Sequence, residues 1–245
     1  MKVPQKLGKP PLVEALVEVR FVAESPASDV LPGLLFSALR DEYASVKSLP
    51  VANLPRAMRE QDIGLRYSPG YQLVGDKRTV NIGSRVLGVS CGMNYSGWGE
   101  LRDAGRRAFD ALLKTRLVTK IERVSLRYMN IIEPRAGASQ ISMIRARVEV
   151  LDQSPDDEGF HLRMENPDGE FLHIVQLATG AATSSKGVDV RRGLLIDIDT
   201  IKSIGDLPSI DDLMALFEAG HEKAKNVFFG LLTPETLKSL EPEGI

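Results

Sequence analysis

Two aspartates one residue apart, Asp197 and Asp199 in "LLIDIDT", have the spacing in this sequence that most suggests chemistry. Residues two apart on a strand project to the same side, so both carboxylates can offer hard oxygens to a divalent cation. That arrangement would suit a metal-assisted hydrolase or nuclease. Two carboxylates leave most of an octahedral shell unfilled, however, and the sequence names no third ligand. The plainer expectation is two exposed acids on the outer face of a strand whose Leu194, Ile196 and Ile198 point inward. A second candidate is basic. Arg102, Arg106 and Arg107 are followed by Lys114, Arg116 and Lys120, and helical spacing stacks Arg102 above Arg106 in a geometry that can track phosphates. Glu100, Asp103 and Asp110 interleave with them and offset part of that charge.

Other reactive residues carry less. A hairpin reading of "GFHLRMENPDGEFLHIVQLA" puts His161 and His173 on opposite faces, so they cannot share an ion, and His173 is expected to be a satisfied core residue. His221 lacks the H-E-x-x-H partner of a zinc helix. In "GAATSSKG" Ser185 precedes Lys186 and Gly187 follows it, which is not the phosphate-loop order. No G-x-S-x-G or G-x-G-x-x-G occurs. Cys91 is the single cysteine, in the apolar run "VLGVSCG", and is expected to be a buried, inert thiol. No metal centre, cofactor or catalytic set is assigned, and the balance falls against an enzyme.

The elements that must position these residues alternate in period. Residues 13 to 22 alternate apolar and polar and predict a strand. A helix is expected over Leu31 to Val46, capped by Ser28 or Asp29 and broken by the prolines of "KSLPVANLP". "DIGLRY", "YQLVG", "TVNIG" and "VLGVSCG" read as a meander of short strands, and "WGELRDAGRRAFDALLK" as an amphipathic helix. "IERVSLRYMNIIEP" and "ISMIRARVEVL" read as strands. In the hairpin that follows, the turn is placed at Asn166–Gly169 with Glu165 opposite Glu170. "GLLIDIDT" is a further strand, Ser209 with Asp212 resembles a capping box for a third long helix, and Thr233–Pro234 opens a short last one. Strands joined by tight turns favour antiparallel pairing. The expected class is therefore α+β, with curved antiparallel sheets against three main amphipathic helices and scope for an internal duplication. The break falls between a basic half, residues 1–134, and an acidic strand-rich half, residues 141–245, which could also form one continuous domain.

Charge sharpens that division. Residues 1–150 carry 23 Lys and Arg against 15 Asp and Glu, a net +8; residues 151–245 carry 8 against 18, a net −10. Opposite halves can attract each other within a monomer or across a homodimer, or one half can meet a charged partner. No run approaches the ~18 apolar residues of a membrane span, and "MKVPQKLGKPPL" lacks the apolar core of a secretion signal, so a cytoplasmic protein is expected.

One short pattern recurs: an apolar residue, Arg and an aromatic, in "VRF" at 19–21, "LRY" at 65–67 and "LRY" at 126–128. On strands this sets arginine outward and the aromatic inward, either to cover sheet surface and pair with carboxylates or to line an anion-binding face. In order along the chain, "PPLVEALVEVRF", Tyr95-Ser96-Gly97-Trp98, "VSLRYMNIIEP" and "LLIDID" resemble a sporadically distributed family of prokaryotic proteins. Its members share a PLVE-type opening strand, a Y-x-G-W segment, an R-Y-x-N-x-I strand and an L-D-I-D strand. The resemblance covers nearly the whole chain and implies no assigned activity or catalytic residue. The expectation is a non-enzymatic cytoplasmic binding protein with a protein partner. The alternatives are a hydrolase or nuclease at Asp197 and Asp199, and nucleic-acid association through Arg102, Arg106 and Arg107.

Overall fold

The computed structural model describes residues 3–24, 27–135, 138–148, 159–185 and 188–244. In chain order the elements are β1 (Lys6–Leu7), β2 (Leu12–Ala23), α1 (Ala27–Leu39), β3 (Tyr43–Ser48), α2 (Arg56–Gln61), α3 (Ile63–Arg66), β4 (Tyr71–Gly75), β5 (Thr79–Ile82) and β6 (Val86–Cys91). They continue with α4 (Trp98–Lys114), β7 (Val118–Ile132), β8 (His161–Asp168), β9 (Phe171–Ser185), β10 (Val188–Ser203), α5 (Ile210–Leu231), α6 (Pro234–Ser239) and β11 (Pro242–Glu243). β1 pairs with β11, and the other nine strands form an antiparallel sheet in the order β3-β4-β5-β6-β2-β7-β10-β9-β8. The class is α+β, with three long helices, α1, α4 and α5.

The chain forms two compact units from interleaved segments. One comprises residues 15–126 and 201–220, the other residues 1–14, 127–200 and 221–245. In the first, alternation along β2 buries Ala15, Val17, Val19 and Phe21. The helix α4 buries Leu101, Ala104, Gly105, Ala108, Phe109 and Leu112, the three-and-four spacing of a single stripe. Gly105 lets it approach closely, since a Cβ there would stand 3.0 Å from Val17 Cγ2. In the second unit, Leu194, Ile196 and Ile198 of β10 join Val175, Leu177, Phe228 and Phe229 in one core. At the start of α5, Ser209 Oγ accepts from the Asp212 backbone N–H at 3.2 Å and donates to Asp212 Oδ2 at 2.6 Å, so the anticipated cap is present with its carboxylate turned onto the hydroxyl.

Several local expectations are corrected. The first helix ends at Leu39, and Tyr43–Ser48 is a strand, because Tyr43 and Val46 carry β-propensity that pairing with β4 rewards. "DIGLRY" holds α3, nucleated by Asp62, whose side chain accepts from the Leu65 backbone N–H. Residues 141–143 form a single 3₁₀ turn, and no strand is assigned from there to residue 148; the rest of "ISMIRARVEVL" lies outside the described residues. In the β8–β9 hairpin Asp168 pairs with Phe171, which leaves Gly169, at φ 62°, and Glu170 as the loop. Glu165 therefore faces Ile174, four residues beyond the expected Glu170. Pro167 did not end the strand because β8 is at the sheet edge, where a missing N–H costs no ladder bond. The slip is an even number of residues, so the face assignment survives, with His161 exposed and His173 fully buried.

Candidate functional site

In the unit of residues 1–14, 127–200 and 221–245 the chemistry lies on the side of β10 away from its core. Buried odd positions on β2 leave Glu14, Leu16, Glu18 and Arg20 on the other side, and buried Leu194, Ile196 and Ile198 do the same for Asp197 and Asp199. Asp197 is not the exposed acid expected, being only 2 % exposed. Arg127 of β7 holds it in a fork, Nε to Oδ1 at 2.8 Å and Nη2 to Oδ2 at 2.6 Å, and Gln176 Nε2 donates to Oδ2 at 3.1 Å. Both carboxylate oxygens are thus engaged with this chain's own donors. The hydrogen bonds that Arg127 donates to Asp197 raise its pKa above its ordinary value against the opposing effect of burial, and Asp197, Asp199 and Glu14 add favourable charge. Glu14 keeps an exposed outer surface, yet desolvation of its carboxyl raises its pKa, with Arg127 lowering it and Asp197 raising it. Among the described residues, no group of three or more His, Cys, Asp and Glu side chains is placed to hold a metal ion.

The unit of residues 15–126 and 201–220 carries a polar ladder on its own strands. Gln72 donates to Asn81, Asn81 to Ser90, and Ser90 shares a hydrogen bond with Thr79. Arg20 and Arg123 both pair with Glu18, and the Arg20 guanidinium lies 4.3 Å from the Tyr67 ring centroid. The recurring arginine motif resolves here. In the first copy Phe21 is buried and Arg20 pairs outward; in the third, Arg127 takes Asp197 while Tyr128, on the other side of β7, meets His221 Nδ1 at 2.9 Å. The second copy lies at the end of α3, and tertiary folding lays its tyrosine against the first copy's arginine.

The arginines of α4 are placed on its polar side and are all ion-paired. Arg102 pairs with Asp103 and Glu218, Arg106 with Asp211, and Arg107 with Glu42 through two hydrogen bonds at 2.5 and 2.7 Å. Lys114 pairs with Asp110. The charge division of the sequence also dissolves. The unit of residues 15–126 and 201–220 holds 17 Lys and Arg against 16 Asp and Glu, and the other unit 14 against 17. Net charges of +1 and −3 replace +8 and −10, because each unit draws on both halves of the chain.

A constellation that sequence reasoning missed joins Asp168, His173, Thr200 and Lys223. His173 is fully buried, with Nδ1 2.9 Å from Thr200 Oγ1 and Nε2 3.5 Å from Asp168 Oδ2, while Lys223 Nζ donates to the same Oδ2 at 2.6 Å. A carboxylate only accepts, so Nε2 carries the proton, Nδ1 accepts, and the Thr200 hydroxyl donates. The order mimics an acid-base-nucleophile relay, but Thr200 is 2 % exposed, so no substrate reaches its hydroxyl. The parity of the hairpin signalled that His173 would be internal; Asp168 lies across the same turn, whereas Thr200 of β10 and Lys223 of α5, which pairs with Asp168, are distant in sequence and left no local pattern. Burial lowers the His173 pKa below 6.5, with Asp168 opposing. The unfolded chain then takes up this proton before the folded one, so the group's contribution is complete above pH about 6.5 and is lost as pH falls through the depressed folded value. Thermal melts between pH 7 and pH 5 are expected to show a stability decline that is shallower in His173→Asn, whose amide still meets Thr200; parallel slopes would contradict this.

A cleft of about 200 Å³, lined by residues that include Arg135, Ser142, Met143, Thr233, Glu235 and Ser239, is smaller than the ~300–1,000 Å³ of ordinary ligand pockets. No described helix is long and apolar enough to cross a membrane. No protein-family model matches the chain, and no curated protein matches its sequence. What the fold and site define is an α+β protein in which a buried carboxylate, Asp197, is held by Arg127 and Gln176.

Proposed function

We propose that the chain is a non-enzymatic binding protein whose protein partner engages the partly exposed surface around Arg127. The observation that supports it is how Arg127 is held. Two of its five donors are fixed on a buried carboxylate, while its side chain keeps 38 % of its surface exposed. A guanidinium immobilised in this way loses little entropy when a carbonyl or carboxylate of a partner docks on its open edge. Asp197, spent on Arg127 and Gln176, favours this reading over the metal-assisted one. The intramolecular pairs of Arg102, Arg106 and Arg107 favour it over phosphate tracking along α4. A cytoplasmic setting and membership of the prokaryotic family that the motifs resemble both fit such a role, and the buried lone thiol of Cys91 suits a reducing compartment.

The test is affinity capture from a prokaryotic lysate. Glu14→Lys, which reverses a charge beside Arg127, is expected to reduce a captured protein at least tenfold, whereas Arg106→Glu on α4 leaves it unchanged. If no protein is captured, or both variants retain it equally, the reading fails. Captured nucleic acid, released by salt and lost in Arg106→Glu, would put the nucleic-acid alternative in its place.

A further inference from the structure

The two ends of the strand order differ in how they are guarded. β8 exposes His161, Arg163 and Glu165, the last two ion-paired to each other, and carries Pro167, all devices that discourage another strand from adding. β3 has no proline, carries one charge at Lys47, and is exposed along Ala44–Ser48. The apolar surface follows the same asymmetry. Of seven exposed large hydrophobic residues among the described ones, five lie between residues 30 and 63: Val30, Leu34, Val46, Met58 and Ile63. They occupy β3, the helix α1 that packs against it, and α2 with the start of α3.

We propose that this edge is an interface with a second copy of the chain, β3 pairing with β3 in antiparallel sense about a two-fold axis. A strand's outward row of N–H and C=O groups is complementary to its own copy under that symmetry. Side-chain charge selects the same sense. The exposed Asp41 precedes the strand and Lys47 lies near its end, so antiparallel pairing brings the lysine of one copy toward the aspartate of the other. A parallel addition would set like charges side by side. A six-residue strand covers less than the roughly 800 Å² per partner of a stable interface. The exposed Val30 and Leu34 of α1, the helix packed against β3, supply apolar surface beside it, and Met58 and Ile63 are exposed in the same unit. This interface is independent of the partner face proposed above, since it uses neither Arg127 nor Glu14.

Sedimentation equilibrium of the full chain tests it. Wild type is expected to sediment at twice the chain mass at about 100 µM. Val46→Asp should weaken the association at least tenfold, and Lys47→Asp should weaken it with a circular dichroism spectrum and melting temperature like wild type. Adding Asp41→Lys to Lys47→Asp should restore the dimer, which general destabilisation would not do. Met164→Asp on β8 should leave association unchanged. A monomer at that concentration, a dimer that survives both β3 variants, or dissociation by Met164→Asp alone would each overturn the proposal.

Discussion

Replacing Arg127 with Met is expected to destabilise the protein by about 3 kcal/mol, near the low end of the ~3–5 kcal/mol measured when one member of a buried ion pair is removed. The cost comes from Asp197. Its side chain is 3 % exposed and would keep only Gln176 as a donor, while the vacated arginine path admits some water. The reverse substitution, Asp197→Asn, should cost clearly less, because the Arg127 head already reaches solvent and can rehydrate. In the double variant Arg127→Met with Asp197→Leu, most of the loss should return, since apolar residues of similar volume often equal or exceed a buried ion pair. Urea denaturation of these proteins, with Asp197→Leu alone added to close the cycle, gives the coupling. Equal costs for the two single variants, or additive costs in the double, would show that Asp197 is solvated and that Arg127 is not fixed by it. The anchor on which the binding role rests would then be gone.

Truncating Phe109 to Ala should cost about 3–5 kcal/mol, the largest loss expected from a single core site. Its ring is fully buried and stacks on Phe217 with centroids 5.2 Å apart and planes 9° apart, joining α4 to α5. At ~2–4 °C per kcal/mol for a chain of this size, the midpoint should fall by roughly 6–20 °C. Phe109→Leu, which keeps most of the volume, should lose well under half as much. A small effect of Phe109→Ala would mean that α5 does not depend on α4 for its apolar stripe. The ion pairs of Arg102 and Arg106 with Glu218 and Asp211 would then lose their positioning, since α5 brings those acids to α4.

Periodicity alone determined much of this protein: the alternation of β2 and β10, the buried stripe of α4, the Ser209 cap, the antiparallel α+β class and the inward side of His173. These are readable because each is decided by which neighbours along the same chain share a face, and that follows from local geometry. Tertiary structure decided the rest. Short segments such as Tyr43–Ser48 and Ile63–Arg66 have too few residues for a period to show, so pairing with β4 and the Asp62 side chain settled them. The site was equally opaque. Asp197 looked like half of a cation site until β7 placed Arg127 on it, and the arginines of α4 looked like a phosphate track until Asp211, Glu218 and Glu42 reached them. Charge is visible in a sequence, but its neutralisation depends on a few ångströms between residues some 60 to 120 positions apart. Only the folded chain fixes those distances.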